Sequence, residues 1–256
     1  MKINKIPFVF EILLCIFLLI MFRLSLYWQY FVYGSAGIIN RSAITDFVGI
    51  ITHIISFSVI IALGLKIQKR TIVSVCSFKK VNALVWCAFV LCSTGFVLFK
   101  FYINDLFYSF NWGWRTVSHT YENILFTDII DTAVIPAIAE ELLFKGLLFF
   151  TLRKRFNVII SVIISSMLFA ACHLTLIQFI PLTLFSCFTF WVYLRTGSIL
   201  LPMITHFMNN LFALILINES FDDIGTFFSA IILFGVGVYI LYRVSKREKN
   251  EQKELV

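Results

Sequence analysis

Charged residues are scarce in this 256-residue chain, at 14% of the total, whereas hydrophobic residues make up 60%. A soluble domain of this length exposes too much surface to water to be built from so few polar groups. Phenylalanine alone accounts for 30 residues. The composition therefore excludes an ordinary soluble enzyme and predicts that lipid surrounds most of the chain.

Several diagnostic patterns are also missing. The six cysteines show no spacing typical of a zinc clip or a disulfide framework. The chain lacks the HExxH, GxGD and GxSG motifs of the zinc, aspartyl and rhomboid types of intramembrane protease. It also lacks the related halves that many transporters show. These absences exclude the three protease types and argue against a proton-linked transporter.

Long apolar segments indicate the fold class. Eight of them approach the 20 or so residues that a membrane-crossing helix needs. They cover roughly residues 6–26, 45–65, 82–101, 126–150, 156–176, 178–195, 198–217 and 224–243. Very short turns are expected near Gln178 and at Thr196–Gly197. The sequence therefore predicts an all-α, polytopic membrane bundle of about eight transmembrane helices, forming a single domain over residues 1–256.

The basic residues indicate the orientation. With both termini in the cytoplasm, 16 of the 21 Lys and Arg residues lie on the inner side, and four lie outside: Arg23, Arg41, Lys100 and Arg115. Cytoplasmic connectors are enriched in positive charge, so we expect a multi-pass protein of the cell membrane with cytoplasmic termini. The net charge of +7 then reflects topology and the lipid bilayer, and no nucleic acid partner is expected. The Phe-, Ile- and Asn-rich usage is typical of an AT-rich bacterial genome.

The remaining basic residue, Lys145, lies within the fourth apolar segment, beside Glu140 and Glu141. An ionisable group at this depth costs at least ~2.5–3.5 kcal/mol on insertion scales, which favours a functional role. Glu141 and Lys145 are four residues apart, so they share a helix face and are expected to pair. Glu140 points about 100° away and is left to face another group.

Two histidines and an asparagine lie on later apolar segments. His173 is in the fifth segment, and His206 and Asn210 are four apart in the seventh, on one helix face. Polar groups surrounded by lipid need internal partners, so we expect these side chains to meet Glu140 in one buried pocket.

Other polar residues are assigned structural roles. His53 stands in the second segment without charged neighbours and is expected to pack in the core or to contact another helix. His119 lies in an aromatic external connector, where an interfacial role is expected. Asp128 and Asp131 occupy the first turns of the fourth segment, where acids interact favourably with the helix dipole.

This set of residues suits amide hydrolysis. The reaction needs an activated water, a proton carrier and donors for the tetrahedral oxyanion. A buried glutamate is a stronger base than an exposed one, because burial disfavours its charged form. A histidine can share the water's proton, and a second histidine with an asparagine can bind the oxyanion. Proton-coupled transporters also use Glu and His, so the residue types alone leave transport open.

The order of three motifs resembles the CPBP family, which comprises the CAAX prenyl proteases and the bacterial bacteriocin-processing and immunity (Abi) proteins. The chain has EExxxK at 140–145, FxxxH at 169–173 and HxxxN at 206–210. The family pattern is EExxxR, FxxxH and HxxxN in a bundle of about eight helices. The resemblance covers a catalytic core at residues 126–218, and the N-terminal helices at 1–101 carry nothing diagnostic. It implies an intramembrane endopeptidase.

The resemblance also implies roles for six residues: Glu140 to activate water, His173 as its partner, His206 and Asn210 to bind the oxyanion, and Glu141 and Lys145 to support them. The chain departs from the family at Lys145, where Arg is usual. Arg holds a carboxylate through a rigid two-pronged fork and Lys does not, so the change affects how the carboxylates are held.

Two alternatives stay open besides the proton-linked transporter. Glu140, His173 and His206 could form a three-ligand zinc site with an open position. Asn210 is not a preferred zinc ligand but suits an oxyanion site, so a mechanism without a cofactor is favoured. The other alternative is a non-proteolytic partner protein, for bacteriocin self-immunity or the regulation of a sensor kinase. The expected partners are the bilayer and a membrane-associated peptide or protein substrate, which the sequence does not name.

Overall fold

A computed structural model describes residues 43–75, 82–109, 126–173, 176–215 and 223–254, with scattered helical positions between 9 and 24. Within these ranges every element is a helix: α1 (Ala43–Ile67), the short α2 (Ile72–Val75), α3 (Ala83–Ser109), α4 (126–152), α5 (Val158–Ala171), α6 (Leu176–Thr196), α7 (Leu200–Ile215) and α8 (Ile224–Glu254). The all-α prediction is confirmed for the described residues.

Four of the described helices are long and apolar enough to cross a membrane: Phe47–Ile67, Ala83–Leu106, Gln178–Thr196 and Ile224–Val244. The apolar helices α5 and α7 have 14 and 16 residues. They are about 21 and 24 Å long, below the roughly 30 Å of the hydrocarbon core. The chain is a multi-pass membrane protein, but its described part does not provide eight full-length spans. The expected first span, 6–26, lies largely outside the described residues.

The helix α4 is interrupted twice by π-helical turns. These are Ile130–Val134 and Leu142–Leu148, and the stretch between them, Ile135–Glu141, is α-helical. A π-helical turn inserts an extra residue into a helix, and such turns are frequent at functional sites. Glu140 and Glu141 are the last two residues of the α-helical stretch, so both carboxylates lie directly before the longer π-helical turn.

Short polar side chains cap three helices. Asn82, Asn157 and Asp223 each precede a helix and accept a hydrogen bond from the backbone N–H three residues on, at 2.8, 2.9 and 2.9 Å. Such caps satisfy amides that have no partner within the helix. Hydrogen bonds from Thr226 hold the pKa of Asp223 below its ordinary value. The caps set the first residues of α3, α5 and α8.

The turns around α6 differ in how well they follow the prediction. The α6–α7 turn is as expected: Gly197 adopts a φ of 65°, which glycine tolerates best. The other turn lies earlier than expected, because α6 begins at Leu176 and Gln178 is inside its first turn. Since α5 ends at Ala171, His173 lies on the turn beyond that helix and not within it.

The two larger apolar clusters hold the helices together. One joins α1, α4, α5 and α6, and the other joins α3, α6, α7 and α8. The α3–α8 contact is close at two glycines: a Cβ on Gly95 would lie 2.5 Å from Phe234 N, and one on Gly237 would lie 2.6 Å from Ala88 O. Because α6 takes part in both clusters, it anchors α4 and α7 on either side of the site.

Candidate active site

Glu141 and Lys145 form a buried ion pair, as predicted from their spacing. Lys145 Nζ pairs with Glu141 Oε2, and the two side chains are only 1% and 2% exposed. The same Nζ donates to Thr189 Oγ1 on α6 at 3.0 Å and lies 4.4 Å from the centre of the Phe190 ring. The ammonium group is therefore surrounded by a carboxylate, a hydroxyl and an aromatic face, which together replace water.

His206, on α7, lies between the two carboxylates. Its Nδ1 is 3.0 Å from Glu141 Oε1, and its Nε2 is 3.8 Å from Glu140 Oε2. Glu141 pairs with Lys145 and is ionised, so it can only accept a hydrogen bond. Nδ1 of His206 must therefore carry the proton that it donates to Glu141, and Nε2 is the ring atom directed at Glu140.

Aromatic rings fix the plane of His206. Phe169 and Phe185 each contact it edge-on, with ring centroids 5.6 Å away in both cases. Phe144 in turn packs edge-on against Phe169 at 5.2 Å. Edge-to-face contacts are a preferred geometry for rings, so the packing and the bond to Glu141 hold His206 in one orientation.

His173 lies next to the same phenylalanine. Its Nδ1 is 2.9 Å from the carbonyl oxygen of Phe169, which can only accept, so Nδ1 donates. The backbone N–H of His173 bonds to Ala170 O instead, at 3.0 Å, which is the tighter bond of a helix end. The prediction that His173 stands within a helix is therefore wrong by two residues. Its ring contacts Phe169 at 4.9 Å, so Phe169 touches both histidines.

Asn210 contacts the first π-helical turn of α4. Its Nδ2 donates to Thr132 O at 3.3 Å, and its Oδ1 accepts from Asn209 Nδ2 at 3.0 Å. Pro136 has no N–H, so it cannot donate the bond that an α-helix would bring to the carbonyl of Thr132. Asn210 supplies a donor there. The prediction that His206 and Asn210 share a face is confirmed, since both side chains contact α4.

His53 is buried and contacts another helix, as predicted, but the expectation that it has no charged neighbour is wrong. Its Nδ1 bonds to Asp131 Oδ1, and its ring stacks on Phe57 with centroids 5.6 Å apart. Asp131 therefore binds α1, a role that the helix-dipole interpretation missed. The sequence signal for this pair is that a histidine, His53, and an acid, Asp131, each lie on an apolar segment. The pair fastens α1 to the π-helical turn that also receives Asn210.

Lys100, which the charge count assigns to the outer side of the membrane, is buried within the protein. Its side chain is 7% exposed, and its Nζ donates to Asn209 Oδ1 at 2.6 Å. The apolar segment was predicted to end near residue 101, but α3 continues to Ser109, so Lys100 lies well inside the helix. Lys145 is therefore one of two buried lysines in the described part of the chain.

The described side chains do not form a metal site as they are placed. No group of three His, Cys, Asp or Glu residues within the described ranges could hold a metal ion. Glu140, His173 and His206 are the predicted ligand set, and the three are not placed together as such a group. This arrangement does not fit the three-ligand zinc alternative, and no step below depends on zinc.

The chain was compared with protein families, curated proteins and solved structures. Residues 122–212 match the Rce1-like family of type II CAAX prenyl endopeptidases. Neither the curated proteins nor the solved structures gave a match. The matched segment runs from α4 through most of α7 and contains all three motifs. It supports the CAAX protease part of the resemblance and gives no support to bacteriocin-related functions. The segment that builds the site is therefore similar to the Rce1-like family of type II CAAX prenyl endopeptidases.

Proposed function

We propose that this protein is an intramembrane endopeptidase that hydrolyses a peptide bond of a membrane-associated protein or peptide, with a water activated by Glu140. The observation that carries the proposal is the position of His206, whose two ring nitrogens face Glu141 and Glu140 at 3.0 and 3.8 Å. All three side chains are at most 6% exposed. Ionisable groups at membrane depth are costly, so a cluster of them indicates function.

Glu140 acts as the general base. Glu141 already neutralises Lys145 and accepts a hydrogen bond from His206, so Glu140 is the carboxylate that takes the proton from water. The water oxygen attacks the carbonyl carbon of the substrate, and the carbonyl oxygen becomes the oxyanion. Glu140, with His173 sharing the proton, then protonates the amide nitrogen as the carbon–nitrogen bond breaks. The products are a carboxylic acid and an amine.

His206 and Asn210 bind the oxyanion. Glu141 holds Nδ1 of His206, so Nε2 faces the pocket. A proton that Nε2 takes from solvent before the reaction, and keeps throughout it, is donated in a hydrogen bond to the oxyanion. One N–H of the Asn210 amide is bonded to Thr132 O, and the other is left for the oxyanion because Asn210 is only half-buried. A single donor of this kind typically contributes about 2.7–4 kcal/mol to the lowering of the barrier.

We further propose that the mechanism needs no metal and that both termini are cytoplasmic. The presence of Asn210, whose amide is not a preferred zinc ligand but can donate to an oxyanion, supports the mechanism without a metal. The family match makes a prenylated CAAX peptide the first substrate class to try.

The test is peptide cleavage by the purified protein in proteoliposomes. One probe is a fluorogenic peptide that ends in a farnesylated CAAX sequence, and the other is the same peptide without the farnesyl group. We expect cleavage of the farnesylated probe at a rate that a strong chelator does not change. Activity that is lost to the chelator and restored by zinc would favour the zinc mechanism. Absence of cleavage of both probes, with an unchanged membrane peptidome in cells that express the protein, would favour a non-proteolytic partner protein.

A further inference from the structure

We propose that Lys100 is a positioning residue that sets the orientation of the Asn210 side-chain amide by acting through Asn209. The proposal rests on the proposed function, in which Asn210 donates a hydrogen bond to the oxyanion. It assigns a role to a buried cation on α3, a helix outside the three motifs.

Three consecutive hydrogen bonds connect α3 to α4 through α7. Lys100 Nζ donates to Asn209 Oδ1 at 2.6 Å, Asn209 Nδ2 donates to Asn210 Oδ1 at 3.0 Å, and Asn210 Nδ2 donates to Thr132 O at 3.3 Å. Lys100 and Asn209 are 7% and 4% exposed, so bulk water competes little for the bond between them. We call these four groups the amide relay.

The two ends of the amide relay fix its direction. An ammonium group can only donate, so the Asn209 atom that faces it must be the oxygen. The Asn209 amide nitrogen then faces Asn210, which must accept with its own oxygen. A backbone carbonyl can only accept, so the Thr132 end requires the nitrogen of Asn210. Both ends therefore select the same orientation of both amides.

This orientation is the one that an oxyanion site needs. The nitrogen of Asn210, with its second N–H, points away from Asn209. If the amide turned over, its oxygen would take that place and would repel an oxyanion instead of binding it. No described carboxylate pairs with Lys100, whose other close groups are the rings of Phe101 and Phe185 at 5.2 and 5.7 Å. The charge of Lys100 is therefore free to polarise the two amides in the direction of the oxyanion.

The decisive variant is Asn209→Asp. The new carboxylate still accepts from Lys100, so the partner of the buried cation is retained and the melting temperature should not fall. It cannot donate to Asn210, whose amide is then expected to turn its nitrogen toward the carboxylate. We expect kcat on the farnesylated probe to fall about 100-fold, as for the loss of one oxyanion donor. KM should stay within about twofold, because the amide relay acts on the transition state.

Two further variants separate positioning from a merely structural role. Lys100→Arg keeps a group that can only donate and should retain most of the activity. Asn209→Asp combined with Asn210→Ala should be no slower than Asn210→Ala alone, because both act on the same donor. A kcat near the wild-type value for Asn209→Asp, or losses that multiply in the double variant, would overturn the proposal.

A stability measurement tests the relay without any substrate, so that its failure can be told apart from failure of the proposed protease activity. The melting temperatures of Lys100→Met, Asn210→Ala and their combination form a double-mutant cycle. If the relay exists, the double variant should unfold within about 2 °C of the less stable single variant. The coupling should vanish when Asn209 is replaced by alanine. Additive shifts would show that Lys100 and Asn210 are not connected, even in an active protease.

Discussion

Replacement of Lys145 by methionine removes the cation from a pair that is almost fully buried. Lys145 and Glu141 are 1% and 2% exposed, so water cannot solvate the carboxylate that remains. Methionine is unbranched and flexible and fills most of the space of the lysine side chain, so a cavity contributes little. Loss of one partner from a buried pair costs about 3–5 kcal/mol. In a chain of this length that corresponds to a fall in melting temperature on the order of 10 °C.

The assay is thermal unfolding of the purified protein in detergent, for Lys145→Met alone and combined with Glu141→Gln. Glutamine keeps an oxygen that accepts from His206 Nδ1 but carries no charge, so the orphaned carboxylate is gone. We expect the combination to recover at least half of the lost melting temperature. Independent, additive losses would refute the pairing as a source of stability. In the same series, Lys145→Arg should keep or raise the activity, since Arg can add a second bond to the carboxylate.

The remaining predictions concern packing, the pair on α1, and topology. Gly95→Ala should lower the melting temperature severely, because its Cβ would lie 2.5 Å from Phe234 N. The matched change Gly235→Ala, whose Cβ would have nothing within 4 Å, should not lower it. Equal effects of the two changes would refute the close helix contact. His53→Leu leaves Asp131 without its partner and should lower the melting temperature by a few degrees. His53→Gln keeps a hydrogen-bond donor and should lower the melting temperature less. Equal losses in the two variants would contradict a hydrogen-bonding role for His53. A reporter that is active only outside the cell should give no signal when fused to the C-terminus and a clear signal when fused after residue 222, and the reverse pattern would overturn the orientation.

Helix positions were predictable where apolar length alone determines them. The segments predicted at 45–65 and 224–243 appear as α1 and α8, because lipid requires a continuous helix there. The π-helical turns of α4 could not be predicted in this way. Each contains a carbonyl that accepts a bond from a distant side chain: Arg70 donates to Gly146 O, 76 positions away, and Asn210 donates to Thr132 O, 78 positions away. Only the folded structure brings such donors together.

The site was predictable to the extent that its contacts are local. The Glu141–Lys145 pair follows from a spacing of four residues. The rule that polar groups in lipid need internal partners also predicted that His206 would meet the glutamates, although it could not say that Glu141 holds Nδ1 and Glu140 faces Nε2. The same rule, applied to His53 and Asp131, would have found their pair. The position of Asp131 near a helix start hides the pair, because an acid there interacts favourably with the helix dipole without any partner.

The most direct test of the central claim is the turnover number of Glu140→Gln in proteoliposomes, on whichever membrane peptide the wild-type protein cleaves. Glutamine keeps the size and the hydrogen-bonding oxygen of Glu140 but cannot accept the water's proton. The matched control is Glu219→Gln, the same change at a glutamate outside the motifs. We expect kcat to fall at least about 100-fold for Glu140→Gln, with a melting temperature near that of the wild type and no loss of activity in the control. A Glu140→Gln protein that cleaves the peptide at the wild-type rate would contradict the assignment of Glu140 as the base, and with it the proposed mechanism.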